Sequence, residues 1–297
     1  MVGWFPEAYP DELLASACAR YADRLEYPTQ SMAVRELFGD RCSRVAYDVP
    51  GHLSHFIRQL PSQGAYSLRE LLYRHTLFPF YISLHSSERV AQLESQIGEG
   101  SADIVYKAVG MIRYRERCPD VLRFCPRCVT EDEARYGEPY WHRRHQLPGV
   151  LICTKHRAVL LSTNVTVHGK CLIRAKHGIQ QRTMPVDTGS AHETTLVELA
   201  NDAQMLLEDE IHLSLSMLKR RYRTQLETMR LSRDGRLLTN EARDAFTKNI
   251  APVMLELLSF NSHSKGVGAW IKQLAGGHIY HPLDHLVMMR FLQVPLL

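Results

Sequence analysis

Two short stretches decide the fold at the middle of the chain: residues 122–128, LRFCPRC, and residues 150–156, VLICTKH. Each begins with an apolar run typical of a β-strand and ends in two metal-ligand residues with two residues between them. This spacing lets both side chains of a tight turn, or knuckle, reach one tetrahedral ion at about 2.0–2.3 Å. Two such knuckles fill all four positions of a single zinc site. Its predicted ligands are Cys125, Cys128, Cys153 and His156.

We expect this zinc to be structural, because four protein ligands leave no open position for water or substrate. A module of about 40 residues also has too little core to fold alone, so metal binding would supply folding energy. His142 and His145, three residues apart, could complete a second metal site. The glutamate general base of a zinc-protease helix is missing beside them, so a packing or hydrogen-bonding role is expected.

The chain has 297 residues, seven of them cysteine, and a net charge of +4. No run of 18 apolar residues is present and the first residues do not resemble a secretory signal, so we expect a cytoplasmic protein without membrane contact. Thiols stay reduced in that compartment, which favours metal binding over disulfides. The four cysteines outside the knuckles are expected to be ordinary thiols: Cys18, Cys42, Cys118 and Cys171.

Short amphipathic helices are predicted across residues 1–116, the N-terminal region. Asp11 is expected to cap the first of them, and Gly39 is expected to end the second. Ser67 and Glu70 have the spacing of a capping box at the start of another helix.

The zinc module is expected at residues 117–162, followed by a polar connecting segment at 163–195. Helical periodicity returns over residues 196–297. Within this C-terminal region, an Asp-Gly turn at 232–236 between helices forms a candidate helix-turn-helix unit. Its helices would span residues 215–231 and 240–258. The predicted fold class is mainly α with small zinc-ribbon β elements.

Four further stretches have a specific pattern. The most informative lies between the knuckles, at residues 136–149, YGEPYWHRRHQLPG. The opening at 5–14, FPEAYPDELL, the segment 74–81, RHTLFPFY, and the segment 281–292, HPLDHLVMMRFL, accompany it. Together with the knuckles, these stretches resemble the TniQ/TnsD family, and residues 74–81 and 281–292 are similar to its TnsD branch.

This resemblance implies a non-enzymatic protein of bacterial transposition that selects the insertion site. Family members mark the target and recruit an AAA+ ATPase, TnsC. The TnsD branch binds a specific attachment-site DNA, whereas other TniQ proteins dock on an RNA-guided CRISPR effector complex and contact little DNA themselves. The resemblance also implies a mainly helical fold with zinc-ribbon and helix-turn-helix units, in a cytoplasmic protein that joins the nucleoid when bound to DNA.

Two groups of basic residues are candidates for DNA contact. Arginine supplies planar pairs of donors that suit phosphates and guanine edges. The first group leads into the first knuckle and continues inside the module; it comprises Arg113, Arg115, Arg117, Arg123, Arg127, Arg143 and Arg144. The second group comprises Lys219, Arg220, Arg221 and Arg223, followed by Arg230, Arg233 and Arg236. A run of charge is also compatible with an ordinary solvated helix face, so that alternative stays open.

Two other functions are compatible with these residues. A zinc-dependent hydrolase would combine His142 or His145 with a nearby carboxylate, although the predicted zinc site has no open position. The candidate carboxylates are Glu131, Asp132 and Glu138. A pure protein adaptor would bind partners through the zinc ribbon and the N-terminal helices. If the chain selects a DNA target, residues 5–20 are expected to contribute to partner recruitment; simple packing on the protein's own core is the alternative, and both stay open.

Overall fold

The computed structural model describes residues 1–39, 45–61, 66–108, 118–169, 171–181, 183–188, 193–209, 211–250, 252–258, 266–278 and 281–296. Within these ranges the fold is mainly helical, with a three-stranded sheet and a two-stranded hairpin, which confirms the predicted fold class. None of the helices described is long and apolar enough to cross a membrane. Cys42, the expected boundary at residues 116–117, and Arg113, Arg115 and Arg117 lie outside the described residues.

The N-terminal helices are α1 (Leu14–Arg24), α2 (Gln30–Phe38), α3 (Leu53–Gln59), α4 (Leu68–His75), α5 (Phe78–Ile82), α6 (Ser87–Glu99) and α7 (Asp103–Ala108). Two predictions about their ends are confirmed. The Ser67 hydroxyl caps α4 by accepting a hydrogen bond from the backbone N–H of Glu70 at 3.0 Å. Gly39 ends α2 with a φ of 85°, a left-handed conformation that glycine adopts without steric strain.

Asp11 does not cap α1, so that prediction is wrong. The helix begins three residues later, and Asp11 has a left-handed φ of 61°. Its carboxylate faces the zinc module instead, with Oδ1 3.2 Å from Nε of Arg143 and Oδ2 2.7 Å from Nε of Arg144. Two guanidinium groups stabilise a buried carboxylate more than the partial charges of a helix N-terminus do. Tertiary ion pairing therefore decides the position of this residue.

The segment just before α1 pairs with the zinc module. The backbone N–H of Leu13 donates to the carbonyl of Trp141 at 3.0 Å, and that of Arg143 donates to the carbonyl of Asp11 at 2.9 Å. Glu12 and His142 form the antiparallel bridge between these two bonds. The N-terminal helices are thereby fixed to the module through backbone hydrogen bonds.

The sheet has the order β1 (Val121–Phe124), β2 (Leu161–Thr166), β3 (Met184–Pro185), and both pairings are antiparallel. Between β1 and β2 lie α8 (Pro126–Tyr136) and a 3₁₀ turn (Arg144–Gln146), and the short helix α9 (Ala175–Gly178) precedes β3. Most of β2 and all of β3 fall in the segment expected to be a connection. The sheet that carries the first knuckle therefore continues past residue 162.

The C-terminal elements are α10 (Glu193–Glu208), α11 (Leu215–Thr228), β4 (Ser232–Arg233), β5 (Arg236–Leu237), α12 (Thr239–Asn249), α13 (Pro252–Leu257), α14 (Gly266–Ala275) and α15 (Pro282–Leu292). The predicted turn at 232–236 is thus a β-hairpin, and the helix expected over 240–258 divides before Pro252, since proline cannot continue a helix interior. Helix α14, which the sequence did not predict, packs against both α11 and α12.

One continuous cluster of buried apolar side chains joins all of these parts. It includes Leu37 from the N-terminal helices, Trp141 from the zinc module and Leu286 from α15. Helix α10 packs against both α5 and α15, and its Asp202 forms an ion pair with Arg290 of α15. The zinc module is therefore built into the core of the molecule.

Candidate metal centre

The first knuckle forms where β1 meets α8. Cys125 precedes α8 in an extended conformation, and Pro126 occupies the first helical position, where a backbone N–H would have no helical partner anyway. The N–H of Val129 then donates to the carbonyl of Cys125 at 3.1 Å. This first turn of helix brings Cys128 back over Cys125, so both sulfurs face the same point.

The second knuckle is the tight turn that starts at Cys153. The N–H of Cys153 donates to the carbonyl of Ala158 at 2.8 Å, which closes the turn. The strand predicted at 150–152 is reduced to an isolated bridge between Ile152 and Val159, since a turn occupies the residues just before it. The turn alone is enough to present Cys153 and the histidine that follows it to the first knuckle.

The four predicted ligands converge, with all their ligand atoms within 4.8 Å of one another. Nδ1 of His156 lies 3.5 Å from Sγ of Cys125, 3.3 Å from Sγ of Cys128 and 3.7 Å from Sγ of Cys153. The sulfurs of Cys128 and Cys153 are 3.8 Å apart. A tetrahedral zinc with bonds of about 2.3 Å to sulfur and about 2.0–2.1 Å to nitrogen requires edges of about 3.5–3.8 Å. The donor set therefore fits such an ion.

The site is closed to solvent, because Cys125, Cys128 and Cys153 are buried. In the described parts of the chain, these cysteines and His156 are the single group of His, Cys, Asp and Glu side chains arranged to hold a metal. A second cluster around His142 and His145 is absent from those parts.

Glu131 orients the histidine ligand. Its Oε1 lies 3.0 Å from Nε2 of His156, and its other oxygen pairs with the ammonium group of Lys155. A carboxylate at this distance holds the proton on Nε2 and leaves the lone pair of Nδ1 for the metal. From sequence, Glu131 was a candidate only for a hydrolase carboxylate. Its position one helical turn after Cys128 was the signal for an orienting role.

His145 packs against the predicted metal ligands on their buried side. Its Nε2 is 3.7 Å from Sγ of Cys128. The ring is buried, and burial holds the pKa of His145 well below its ordinary value, so the ring is neutral. A neutral ring protonated at Nε2 donates to the sulfur and offsets part of the negative charge of three thiolates.

His142 forms an ion pair on each side of its ring, in agreement with the expected hydrogen-bonding role. Nε2 lies 2.8 Å from Oδ2 of Asp132, and Nδ1 lies 3.5 Å from Oδ2 of Asp11. Burial lowers the pKa of His142, but the hydrogen bonds and charges of Asp11 and Asp132 outweigh it and raise the pKa to about 9. The ring is therefore a cation that links α8 to the segment before α1.

The structure corrects the predicted DNA contact of Arg143. This side chain is 6% exposed, and its guanidinium bonds to the carbonyl of Tyr73 at 2.6 Å, the carbonyl of Thr76 at 3.2 Å and Asp11 at 3.2 Å. A buried group with these partners has no surface to offer DNA. Arg144 is partly exposed but is also paired with Asp11.

The second basic group lies on α11. Arg220 and Arg223 are exposed, whereas Lys219 and Arg221 are half-buried. Nη1 of Arg221 donates to the carbonyl of Pro295 at 3.0 Å, which ties the helix to the segment after α15. The DNA contact predicted for these four residues stays a prediction.

An ion-pair network at Glu138 was not anticipated from the sequence. This buried carboxylate lies 3.1 Å from the guanidinium of Arg24 and 3.5 Å from that of Arg20, and it also pairs with Arg174. Burial raises the pKa of Glu138, but the charges of Arg174 and Arg20 outweigh it and lower the pKa. Arg20 and Arg24 lie 118 and 114 residues away along the chain, too far for any local pattern to indicate the contact.

The three carboxylates named for a hydrolase are engaged separately. Glu131 binds His156, Asp132 binds His142, and Glu138 binds arginines. Asp132 does meet one of the two candidate histidines, but Asp11 occupies the other side of that ring. The arrangement serves to hold α8, α1 and the knuckles together.

Comparison with known proteins places this core in a family. Residues 4–160, more than half of the chain, match the TniQ family model. A segment of 156 residues is 31% identical to the Tn7 transposition protein TnsD of Escherichia coli; it covers 52% of this chain and 31% of that protein. The chain thus spans only about a third of that relative's length. The matched region runs from the segment before α1 through both knuckles and covers more than half of the chain, so the chain belongs to the TniQ family.

Proposed function

We propose that this protein selects the target of a transposon: it binds target DNA and recruits the AAA+ transposition regulator TnsC, without catalysing a reaction itself. The observation that carries the proposal is the family match over residues 4–160, together with the similarity to TnsD, a protein of Tn7 transposition. The match covers the whole metal-bearing core, so the part shared with the family is also the part that determines the fold.

The metal in this proposal is one structural zinc ion held by Cys125, Cys128, Cys153 and His156. Three thiolates and a histidine are a donor set typical of structural zinc, and four protein ligands leave no position for a reacting water. Zinc would keep both knuckles together and, through Glu131 on α8, hold that helix against the second knuckle.

DNA contact is assigned to α11. Its exposed side presents Arg220 and Arg223, with Lys219 and Arg221 at the margin. Their charge attracts the phosphate backbone regardless of sequence. The buried side of α11 anchors it: the hydroxyl of Tyr222 lies 3.2 Å from Nδ1 of His285 inside the core. A helix fixed in this way can present its arginines to DNA without moving.

Recruitment of TnsC is assigned to the N-terminal segment. Phe5 packs against Phe56 with ring centroids 5.2 Å apart, which holds the segment on the core. Trp4 beside it is 40% exposed, and its ring is stacked on Tyr21 at 6.4 Å. A fixed, half-exposed tryptophan suits the centre of a protein interface, where this residue type is enriched.

One observation favours the alternative of an adaptor docked on an RNA-guided CRISPR effector. Arg143 and Arg144 are used inside the molecule, so the knuckle module offers less surface for DNA than the sequence indicated. In this alternative α11 contributes little to DNA binding, and removing the charges of Arg220 and Arg223 leaves the recruitment of TnsC unchanged.

The test uses the purified zinc-loaded protein, duplex DNA carrying the attachment site next to the element, and TnsC. We expect the protein to bind the duplex and to retain TnsC on it, and we expect the R220A/R223A variant to lose both. Absence of binding to DNA and to TnsC, with zinc content intact, would refute the proposal. Retention of TnsC by a CRISPR effector complex, with no DNA binding by the protein alone, would favour the adaptor.

A further inference from the structure

One short stretch in the C-terminal region carries a local excess of positive charge. Residues 219–236 contain seven Lys and Arg residues and two acidic residues, a net charge of +5. The whole chain has a net charge of +4, so everything outside this stretch sums to −1. A local excess of this size on a nearly neutral molecule creates a positive potential at one place on the surface. Half of this stretch is α11, and the remainder leads into the β4–β5 hairpin.

The hairpin has a turn that fixes its shape. Asp234 and Gly235 at its tip have φ angles of 51° and 73°, both left-handed, as in the tight two-residue turns whose twist matches that of the strands. Its base is anchored to the core by Leu231, which is buried and whose N–H donates to the carbonyl of Leu226 on α11 at 2.8 Å. The N–H of Leu238 closes the base by donating to Leu231 at 2.9 Å. The tip therefore projects from a fixed base.

Two arginines face each other at this tip. Arg233 and Arg236 are directly opposite in the antiparallel register, so their side chains leave the same face of the ribbon. Like charges at opposed positions destabilise a hairpin. The nearest carboxylate, that of Asp234, is 3.9 Å from Arg233, with both side chains more than four-fifths exposed, and an exposed pair of this kind contributes little. Within the described residues, no other ion pair to Arg233 or Arg236 is formed.

We propose that Arg233 and Arg236 clamp a backbone phosphate of the duplex that α11 contacts, so that the hairpin is a second DNA-binding element. This inference rests on the proposed binding of target DNA. An oxyanion between the two guanidinium groups would replace their mutual repulsion with two charge-assisted hydrogen bonds. The hairpin begins at Ser232, and α11 ends at Thr228, so its arginines follow those of the helix closely along the chain.

The clamp adds affinity and orientation without reading sequence, since phosphate contacts are the same for every base pair. Any sequence preference would come from α11 or from other parts of the protein. The hairpin arginines should therefore contribute equally to binding of target and unrelated duplexes. Their contribution should also decrease with salt, because each phosphate contact releases condensed counterions.

The experiment measures the affinity of the full chain for a 30-base-pair duplex over a salt series. Its variants are R233A/R236A, the α11 variant R220A/R223A and the control R58A/R74A. Arg58 on α3 and Arg74 on α4 are 61% and 74% exposed, and within the described part of the chain their ion pairs with Glu99 and Glu70 are 3.8 Å and 3.7 Å long. The control therefore removes the same charge elsewhere. Zinc content and thermal unfolding verify that each variant is folded.

We expect R233A/R236A to weaken binding about 10-fold at low salt and to reduce the slope of log affinity against log salt by about 0.9, the change for one phosphate contact. The control should match the unmodified protein. If R233A/R236A has the same DNA affinity and salt dependence as the control while R220A/R223A binds DNA more weakly, the inference is overturned and the proposed function stands. If the unmodified protein binds no duplex, the proposed function itself fails. Stronger competition by double-stranded RNA than by duplex DNA would also contradict the clamp.

Discussion

Glu131 and His156 meet across the two knuckles: Oε1 of Glu131 lies 3.0 Å from Nε2 of His156, on the side of the ring opposite to the three sulfurs. The carboxylate belongs to α8, which begins at the first knuckle, and the histidine belongs to the second knuckle. One contact therefore orients a ligand and joins the two halves of the metal centre. We therefore expect zinc affinity to depend on a residue outside the predicted ligand set.

Replacing Glu131 with alanine should lower zinc affinity by about 10- to 100-fold, the usual effect of losing a carboxylate that orients a histidine ligand. The ring would lose its hydrogen-bond partner while all four ligands remain. Competition with a chromophoric chelator measures the change. The matched control is E133A, an exposed acidic residue on the same helix. Equal zinc affinity of the two variants would contradict the orienting role.

Removing the metal should destabilise the whole molecule. The knuckle cysteines and Trp141 belong to the same buried cluster as the helices on either side, so loss of the ion opens the centre of the fold. An ion present at a thousandfold excess over its Kd stabilises by about 4 kcal/mol, and chelation should remove at least that much. Differential scanning calorimetry with and without chelator checks this. The same transition temperature with zinc removed would contradict a structural role.

The convergence of Cys125, Cys128, Cys153 and His156 could be predicted from sequence because knuckle spacing is a local property, set by the reach of side chains around one turn. The positions of Gly39 and Ser67 followed from equally local rules of helix capping. The contact of Glu131 with His156 is partly local too, since Glu131 lies one helical turn after Cys128. Local geometry is what these cases share.

His142 should make the stability of the protein depend on pH in the alkaline range. Its pKa is about 9 in the folded protein because Asp11 and Asp132 outweigh the effect of burial, against about 6.5 in an unfolded chain. A raised folded pKa means that this stabilisation is complete below pH 6.5 and disappears as the pH rises through 9. The maximum contribution is roughly 3 kcal/mol.

The variant H142Q should therefore be much less stable than the unmodified protein at pH 6 and should differ less from it at pH 10. Urea unfolding at both pH values measures the two differences. The variant H177Q, at an exposed histidine, controls for general effects of the substitution. A difference between H142Q and the unmodified protein that does not change from pH 6 to pH 10 would show that the ion pair with Asp11 and Asp132 contributes nothing.

Glu138 should be a strong determinant of stability. It is the common partner of Arg20 and Arg174 within the core, and removing one member of a buried ion network leaves uncompensated charges, at a cost of about 3–5 kcal/mol. E138A is the test variant. E99A removes a carboxylate from an exposed pair with Arg58 and should cost less than about 1 kcal/mol. Equal stability of the two variants would contradict a network role for Glu138.

Long-range pairing explains where prediction from sequence failed. Asp11 is of a residue type that often caps helices, but its partners Arg143 and Arg144 lie more than 130 residues away. The same contact removed Arg143 from the predicted DNA surface. Sequence periodicity predicts neither the ion pairs of Asp11 nor the burial of Arg143. Both arise only when the segment before α1 pairs with the knuckle module. At residues 232–236 the sequence predicted the turn but not the strands of the β4–β5 hairpin, since each strand is only two residues long.

The most direct test of target selection is to map insertion sites in cells that carry the element and its own transposition genes. With the unmodified gene for this protein, insertions should concentrate at one site or at the site specified by a guide RNA. If the protein itself recognises the target DNA, R220A/R223A should abolish insertion at that site. C128S should abolish targeted insertion whether the site is recognised by the protein or specified by a guide RNA. An unchanged distribution of insertions after deletion of this gene would contradict the account.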